Sequence, residues 1–266
     1  MTERPVLLLT NDDGVHAAGL RRLREAMLAV GHVVVVAPTH EQSASSHAIT
    51  IDRPLRHIEH GTDVHSIDGT PADCVYLALF EPRFLPRRPD LVLSGINHGP
   101  NLGTSVFYSG TVAGAREAAL RGIPAIAFSQ EGSSDAPWAA ELAAELARRV
   151  LAAEKPERSA LLFNVNFPSE RARGVRVTHV GRQIYEENVI PRRDPGGREY
   201  FWIGGRVVDS GDVEGTDREA VAAGYASLTP LELEPTSAAH LALATHVAAP
   251  HAERASAPPV ARGRTP

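Results

Sequence analysis

Apolar residues along this 266-residue chain fall into two alternating textures. Short unbroken runs have the length and continuity of strands buried on both faces: Val6-Leu7-Leu8-Leu9, Val33-Val34-Val35-Val36-Ala37, Leu91-Val92-Leu93-Ser94, Ile123 to Phe128 and Leu161 to Val165. Between them, apolar positions return at helical spacing. Leu20, Leu23, Met27 and Val30 lead to a closing Gly31, and further helices are predicted from Thr111 to Arg121 and from Asp135 to Ala153. Thr70-Pro71-Ala72-Asp73 opens another helix with a cap residue, a proline at the first position and an early carboxylate. This alternation predicts an α/β fold whose mostly parallel sheet is covered by helices on both faces.

Near Ser169 the texture changes. Val175 to Val180 and Glu199 to Ile203 read as strands joined by a Gly-, Pro- and Arg-rich stretch, Pro191 to Arg198. The expectation is a core over 1–168 and an antiparallel β arm over 169–215. Thr216 to Ala223 then reads as a short helix and Gly224 to Leu231 as a strand, a return unit over 216–235. Beyond Pro235 the chain is rich in Ala, His, Pro and Arg, and 236–266 is expected to be a disordered tail. The consecutive Tyr200, Phe201, Trp202 and Ile203 cannot bury themselves within a thin arm, so a partner subunit is expected to cover them.

Composition excludes several classes. With 43% hydrophobic and 22% charged residues the chain is ordinary globular protein. A net charge of −5 and a pI near 6.2 support neither a nucleic-acid polymer nor an anionic membrane as partner. The single cysteine, Cys74, excludes an internal disulfide, fits a reducing cytoplasm and lies where a helix would pack it into the core. Met1-Thr2-Glu3-Arg4-Pro5 lacks a basic signal-peptide start, and no apolar run approaches the ~18 residues of a membrane span, so a cytoplasmic location is expected.

The chemistry gathers where strands end. The first strand runs into Thr10-Asn11-Asp12-Asp13-Gly14, which places two carboxylates side by side at its carboxyl end, where open α/β sheets bind ligands. Adjacent buried carboxylates repel, and oxygen ligands of this kind suit Mg²⁺, Mn²⁺ or Ca²⁺. An isolated Asp-Asp-Gly reads equally well as a solvated turn. After the second strand comes the polar loop Pro38 to His47, where Ser43 is a candidate oxygen ligand or phosphate contact. After Leu91 to Ser94 comes Gly95-Ile96-Asn97-His98-Gly99-Pro100-Asn101-Leu102-Gly103, ending in Ser109-Gly110-Thr111 at the start of a helix. Two hydroxyls and free N–H groups at a helix N-terminus suit an anion, although Ser-Gly-Thr alone also describes a capped helix. A metal beside a phosphate accounts for the three loops together.

Other sites are unsupported. No G-x-G-x-x-G follows the first strand, no P-loop sequence occurs, and the twelve histidines lack zinc-site spacing. His98 sits within the Gly-rich loop with nothing to assign it a catalytic role, and Asp217 fits the first turn of a helix capped by Thr216.

Thr10-Asn11-Asp12-Asp13-Gly14, Gly69-Thr70-Pro71-Ala72-Asp73-Cys74-Val75, Ser94-Gly95-Ile96-Asn97 with Gly99-Pro100-Asn101, and Tyr108-Ser109-Gly110-Thr111-Val112-Ala113, in this order, resemble the SurE survival-protein family. Thr216-Asp217 and Gly224-Tyr225 with Thr229-Pro230-Leu231 extend the likeness over roughly residues 5 to 235. The resemblance implies a Rossmann-like three-layer core with an arm that swaps between subunits of a homodimer or homotetramer. It implies a divalent-metal-dependent phosphohydrolase acting on nucleoside 5′-monophosphates, a 5′-nucleotidase, with 3′-monophosphates and short polyphosphate as further substrates. One metal ion per subunit would be held by Asp12, Asp13, Ser43 and Asn97. Asn101, Ser109, Gly110 and Thr111 would lie at the phosphate, and Asp12, Asp13, Asn101 and Ser109 would carry the catalysis. The family often has an acidic residue where this chain has Ser105. Two alternatives are a non-catalytic nucleotide-binding module and a receiver-like signalling domain. The latter needs a phospho-accepting Asp after the third strand and a Lys after the fifth, whereas this chain has Ser94 to Asn97 and Phe128-Ser129-Gln130 there.

Overall fold

A computed structural model describes residues 4–154, 161–182, 184–208 and 213–252. It separates into two units, 1–233 and 234–266.

In the first unit the continuous apolar runs form β1 (Val6–Thr10), β2 (His32–Pro38), β5 (Leu91–His98), β6 (Ala125–Gln130) and β7 (Leu162–Phe167). They alternate with α1 (Ala18–Met27), α2 (Pro71–Phe80), α3 (Gly110–Leu120) and α4 (Pro137–Ala152). Pairing is parallel from β4 (Val64–Ile67) through β2, β1, β5 and β6 to β7. At one edge β3 (His57–Gly61) joins β4 antiparallel. At the other, β11 (Ala226–Pro230) joins β7 antiparallel and β8 (Val175–Val177) lies beside it.

The sheet is apolar on both faces because successive strand residues point opposite ways. Leu7, Leu9, Val33 and Val35 pack with Leu20, Leu23 and Met27 of α1 and with the alanines of α4. Leu8, Val34, Val36 and Val92 pack with Cys74 and Val75 of α2 and with Val112 and Ala115 of α3. This is the expected three-layer α/β core. Cys74 is fully buried, and burial pushes its thiol well above the ordinary range. No helix among the described residues is long and apolar enough to cross a membrane.

The arm is a β pair, but its strands differ from the sequence reading. β9 (Ile184–Arg193) pairs antiparallel with β10 (Glu199–Val208), so Pro191 to Arg193 lies within a strand and the turn is shorter than expected. Val175–Val177 is not an arm strand; its backbone pairs parallel with Ala226 to Leu228 in the main sheet. Pro191 is easier to accommodate here than in a central strand, because each strand of a two-stranded ribbon has one side without a neighbour. Phe201, Trp202 and Ile203 are exposed.

In the second unit, the expected disorder from 236 onward is corrected in part. A 3₁₀ turn at Ala238–His240 leads into α6 (Leu241–Ala252). Leu-Ala-Leu-Ala-Thr-His-Val-Ala-Ala lacks an amphipathic stripe, yet alanine and leucine are strong helix formers by propensity alone. The remainder of the expected tail, 253–266, lies outside the described residues.

Candidate active site

β2, β1 and β5 are neighbours in the sheet, so the loops leaving their carboxyl ends open side by side. Those loops carry Ser43, the Asp12-Asp13 pair and Asn97. The backbones are knitted together: Val15 N–H donates to the Pro38 carbonyl (2.8 Å), and Gln42 N–H donates to the Asp12 carbonyl (2.7 Å). The β5–β6 register shifts between Ser94 and Asn97, a bulge that re-aims the end of β5.

Helix α3 drives its N-terminus against this point. A Cβ on Gly114 would lie 2.8 Å from Thr10 Cγ2, and one on Gly110 would lie 2.9 Å from Asp12 Cβ and 2.8 Å from Ser45 Oγ. Only glycines permit so close an approach. Asp12 is buried, and its Oδ1 accepts a hydrogen bond from the Thr111 hydroxyl. Burial pushes the Asp12 carboxyl up to about 6, opposed by the Thr111 hydroxyl and reinforced by the charge of Asp13. Asp13 is half-buried. Burial raises it as well, offset in part by the His98 N–H, which donates to Asp13 Oδ2 at 3.1 Å.

The other candidates divide by what their polar atoms already do. Ser109 is the N-cap of α3, and its Oγ accepts from the Val112 N–H at 3.0 Å, which leaves the hydroxyl hydrogen for another acceptor. Thr111 turns its hydroxyl to Asp12, so among the described contacts it orients a carboxylate. Asn97 Nδ2 donates to the Gly99 carbonyl (2.8 Å), which leaves its amide oxygen as a possible ligand. Ser43 is exposed, with its hydroxyl on Glu41 Oε1 at 2.6 Å; its loop is brought to Asp12 through the backbone of Gln42.

Asn101 is held from all sides. Its N–H donates to Asn166 Oδ1 (2.7 Å), its carbonyl accepts from Asn164 Nδ2 (2.8 Å) and Asn166 Nδ2 (3.2 Å), and its own Nδ2 donates to Ser129 Oγ (2.8 Å). Sequence reading missed Ser129, Asn164 and Asn166. The available signal was two asparagines with period 2 in an otherwise apolar strand, both facing one interior side. Asp217 lies in the first turn of α5 (Asp217–Ala222), capped by Thr216 as expected. It also accepts from the Gly103 and Gly181 N–H groups at 2.9 Å each, tying the Gly-rich loop in place.

Among the described residues no three or more His, Cys, Asp or Glu side chains gather as a metal site. The candidate centre is two carboxylates with neutral oxygens, a donor set that fits a hard cation. Among the described residues the buried Asn11 Oδ1 and Ser45 Oγ have no hydrogen-bond partner, and with the raised Asp12 they add polar atoms that a bound cation or anion would satisfy.

A family model described as "Survival protein SurE" matches residues 7–187. A protein of Sorangium cellulosum called "5′-nucleotidase SurE" is 49% identical over 249 residues, covering 92% of this chain and 96% of that one. One of the same name from Anaeromyxobacter dehalogenans is 50% identical over 234 residues, covering 86% and 91%. The crystal structure of the SurE protein from Aquifex aeolicus superposes with a TM-score of 0.80 at 40% identity, covering 91% of this chain and 99% of that one.

Proposed function

The chain belongs to the SurE family, and on that premise we propose that it is a 5′-nucleotidase, hydrolysing nucleoside 5′-monophosphates to nucleoside and inorganic phosphate. The observation that carries the reading is the meeting of a carboxylate pair with the N-terminus of α3, where Asp12 bonds Thr111 and the missing side chain of Gly110 lets the two come together. Asp12, Asp13, Ser43 and Asn97 would hold one divalent cation, Mg²⁺ or Mn²⁺ foremost and Ca²⁺ by the same donor chemistry. Such an ion, when bound, supplies charge neutralisation and a lowered pKa for water.

In the reaction a water oxygen bonds to phosphorus, the bond from phosphorus to the ribose oxygen breaks, and that oxygen leaves with a proton. Asp12 or Asp13 would take the water's proton. The Ser109 hydroxyl, the Gly110 N–H and the Asn101 amide would hold the phosphoryl oxygens as charge moves onto the leaving group. Thr111 would keep Asp12 aimed. We further propose that the arms of two subunits cover each other's Phe201, Trp202 and Ile203 in a homodimer or a tetramer, and that the enzyme works in the cytoplasm. A micromolar solution with monomeric mass would remove the oligomer.

Phosphate release from a panel of nucleoside monophosphates, with EDTA and then with Mg²⁺ or Mn²⁺ restored, tests the reading. Turnover should vanish on chelation and return with either ion. Full activity in excess EDTA would overturn it.

A further inference from the structure

Fourteen aromatic residues (7 Phe, 5 Tyr and 2 Trp) serve the whole chain. Phe128 and Phe167 stack in the core, and Phe84 packs against His57 and His65. Tyr76 and Phe80 pack together under the Arg121 guanidinium. Phe107 and Tyr108 differ. Both are 64% exposed, and among the described residues neither ring meets another ring or a cation.

Their backbone, by contrast, is pinned. Tyr108 N–H donates to the Ser105 carbonyl (3.0 Å), the Tyr108 carbonyl accepts from Ser46 N–H (3.0 Å), and the Phe107 carbonyl accepts from Ser46 Oγ (2.6 Å). Ser46 belongs to the loop that carries Ser43, and its neighbour Ser45 abuts Gly110. Tyr108 therefore presents a bare aromatic ring from a pinned backbone immediately before Ser109-Gly110-Thr111. Two residues of chain span at most about 7 Å, the scale on which a ribose separates a base from its 5′-phosphate.

We propose that Tyr108 is the stacking ledge for the substrate's nucleobase. The inference rests on the nucleotidase reading and names the group that recognises the nucleoside. With the backbone already held, only the two side-chain torsions of the ring remain to be ordered on binding, so little affinity is lost in making the contact. Stacking tolerates any base because every base has a π-face, and the larger face of a purine gains more. Tyr108 thus gives broad base acceptance with a purine preference. Phe107 lies about one third of a turn away around the 3₁₀ segment Gly103–Phe107 and serves as the comparison position.

The test compares AMP with ribose 5-phosphate, which shares the phosphate and sugar but has no base, in the full-length protein with Mg²⁺. Tyr108→Ala should lower kcat/KM for AMP about tenfold, chiefly through KM, and leave ribose 5-phosphate unchanged. Tyr108→Phe should restore the AMP value, because the ring and not the hydroxyl stacks, and Phe107→Ala should leave both substrates alone. An unchanged ratio of AMP to ribose 5-phosphate in Tyr108→Ala would overturn the proposal, as would an equal loss on both. A loss of dimer mass with the ratio intact would assign the ring to a subunit contact and overturn it equally. Thermal shift with AMP separates this inference from the one beneath it. A wild-type chain that AMP stabilises in a Tyr108-dependent way without turnover removes the phosphatase reading and keeps the ledge. Turnover of both esters with an unaltered ratio does the reverse.

Discussion

Buried acids occur in two kinds of place in this molecule, and they are treated in opposite ways. At the knots of the scaffold they are saturated. Asp73 accepts from the Thr50 N–H, the Thr50 hydroxyl and the Thr70 N–H, and Asp217 from the N–H groups of Gly103, Gly181 and Arg218. Glu117, which burial alone would raise, is held below the usual carboxylate range by His47 and Arg121. At the turn after β1, Asp12 accepts from Thr111 and Asp13 from the His98 N–H, yet burial outweighs these bonds and raises both carboxyls, and the charge of Asp13 raises Asp12 further. Saturated acids stabilise a fold. Acids whose bonds leave the charged form under-stabilised gain from a positive charge brought in from outside.

The sharpest way to break this contrast is to neutralise one acid of each kind. Asp13→Asn keeps the shape but removes a charge, and it should lower metal-dependent phosphate release by at least on the order of 10²–10³ while the protein stays folded. A wild-type rate at limiting metal would end the distinction. Asp217→Asn should act in the other currency. Turning an amide NH₂ toward N–H donors should reduce unfolding stability in urea by about 3 kcal/mol, with kcat of the folded fraction retained. Loss of kcat without loss of stability would make Asp217 part of the chemistry.

Asp12 gives a smaller effect with a defined pH window. Its folded carboxyl lies near 6 against 3.8 in the unfolded chain, so between those values the folded state holds more protons. The stability contributed by this group is greatest below pH 4, falls as pH rises to 6 and is flat above. In EDTA, Asp12→Asn should therefore be more stable than wild type at pH 7, by up to about 2–3 kcal/mol, and nearly equal at pH 4. Urea midpoints at the two values decide it, and an equal difference at both would disprove the raised carboxyl. Smallest is Thr111→Val. Removing the hydroxyl that aims Asp12 should cost about tenfold in turnover or metal affinity, the scale of an outer-shell partner. Unchanged kinetics would mean that Asp12 is aimed by other groups.

Much of the scaffold was legible because it depends on local pattern. The Thr70 cap with Asp73 forms a full capping box, as Thr-Pro-Ala-Asp suggested, and Ser109 caps α3. What escaped did so for identifiable reasons. Exposure along all of His57–Gly61 removes the alternation by which an edge strand would be seen, and β9 carries a proline that argues against a strand.

By itself the sequence determined the central strands, the helices that cover them and the polar loops at the strand ends, because apolar period, caps and turn residues are properties of neighbours in the chain. Only the tertiary structure decided that β2, β1 and β5 are adjacent, that Asn164 and Asn166 grip Asn101, and that Thr111 belongs to Asp12. Those pairings join residues up to 99 positions apart, across a sheet whose strand order no local pattern encodes. Burying both faces of that sheet at once selects the order, and with it the place where the two carboxylates meet the end of a helix.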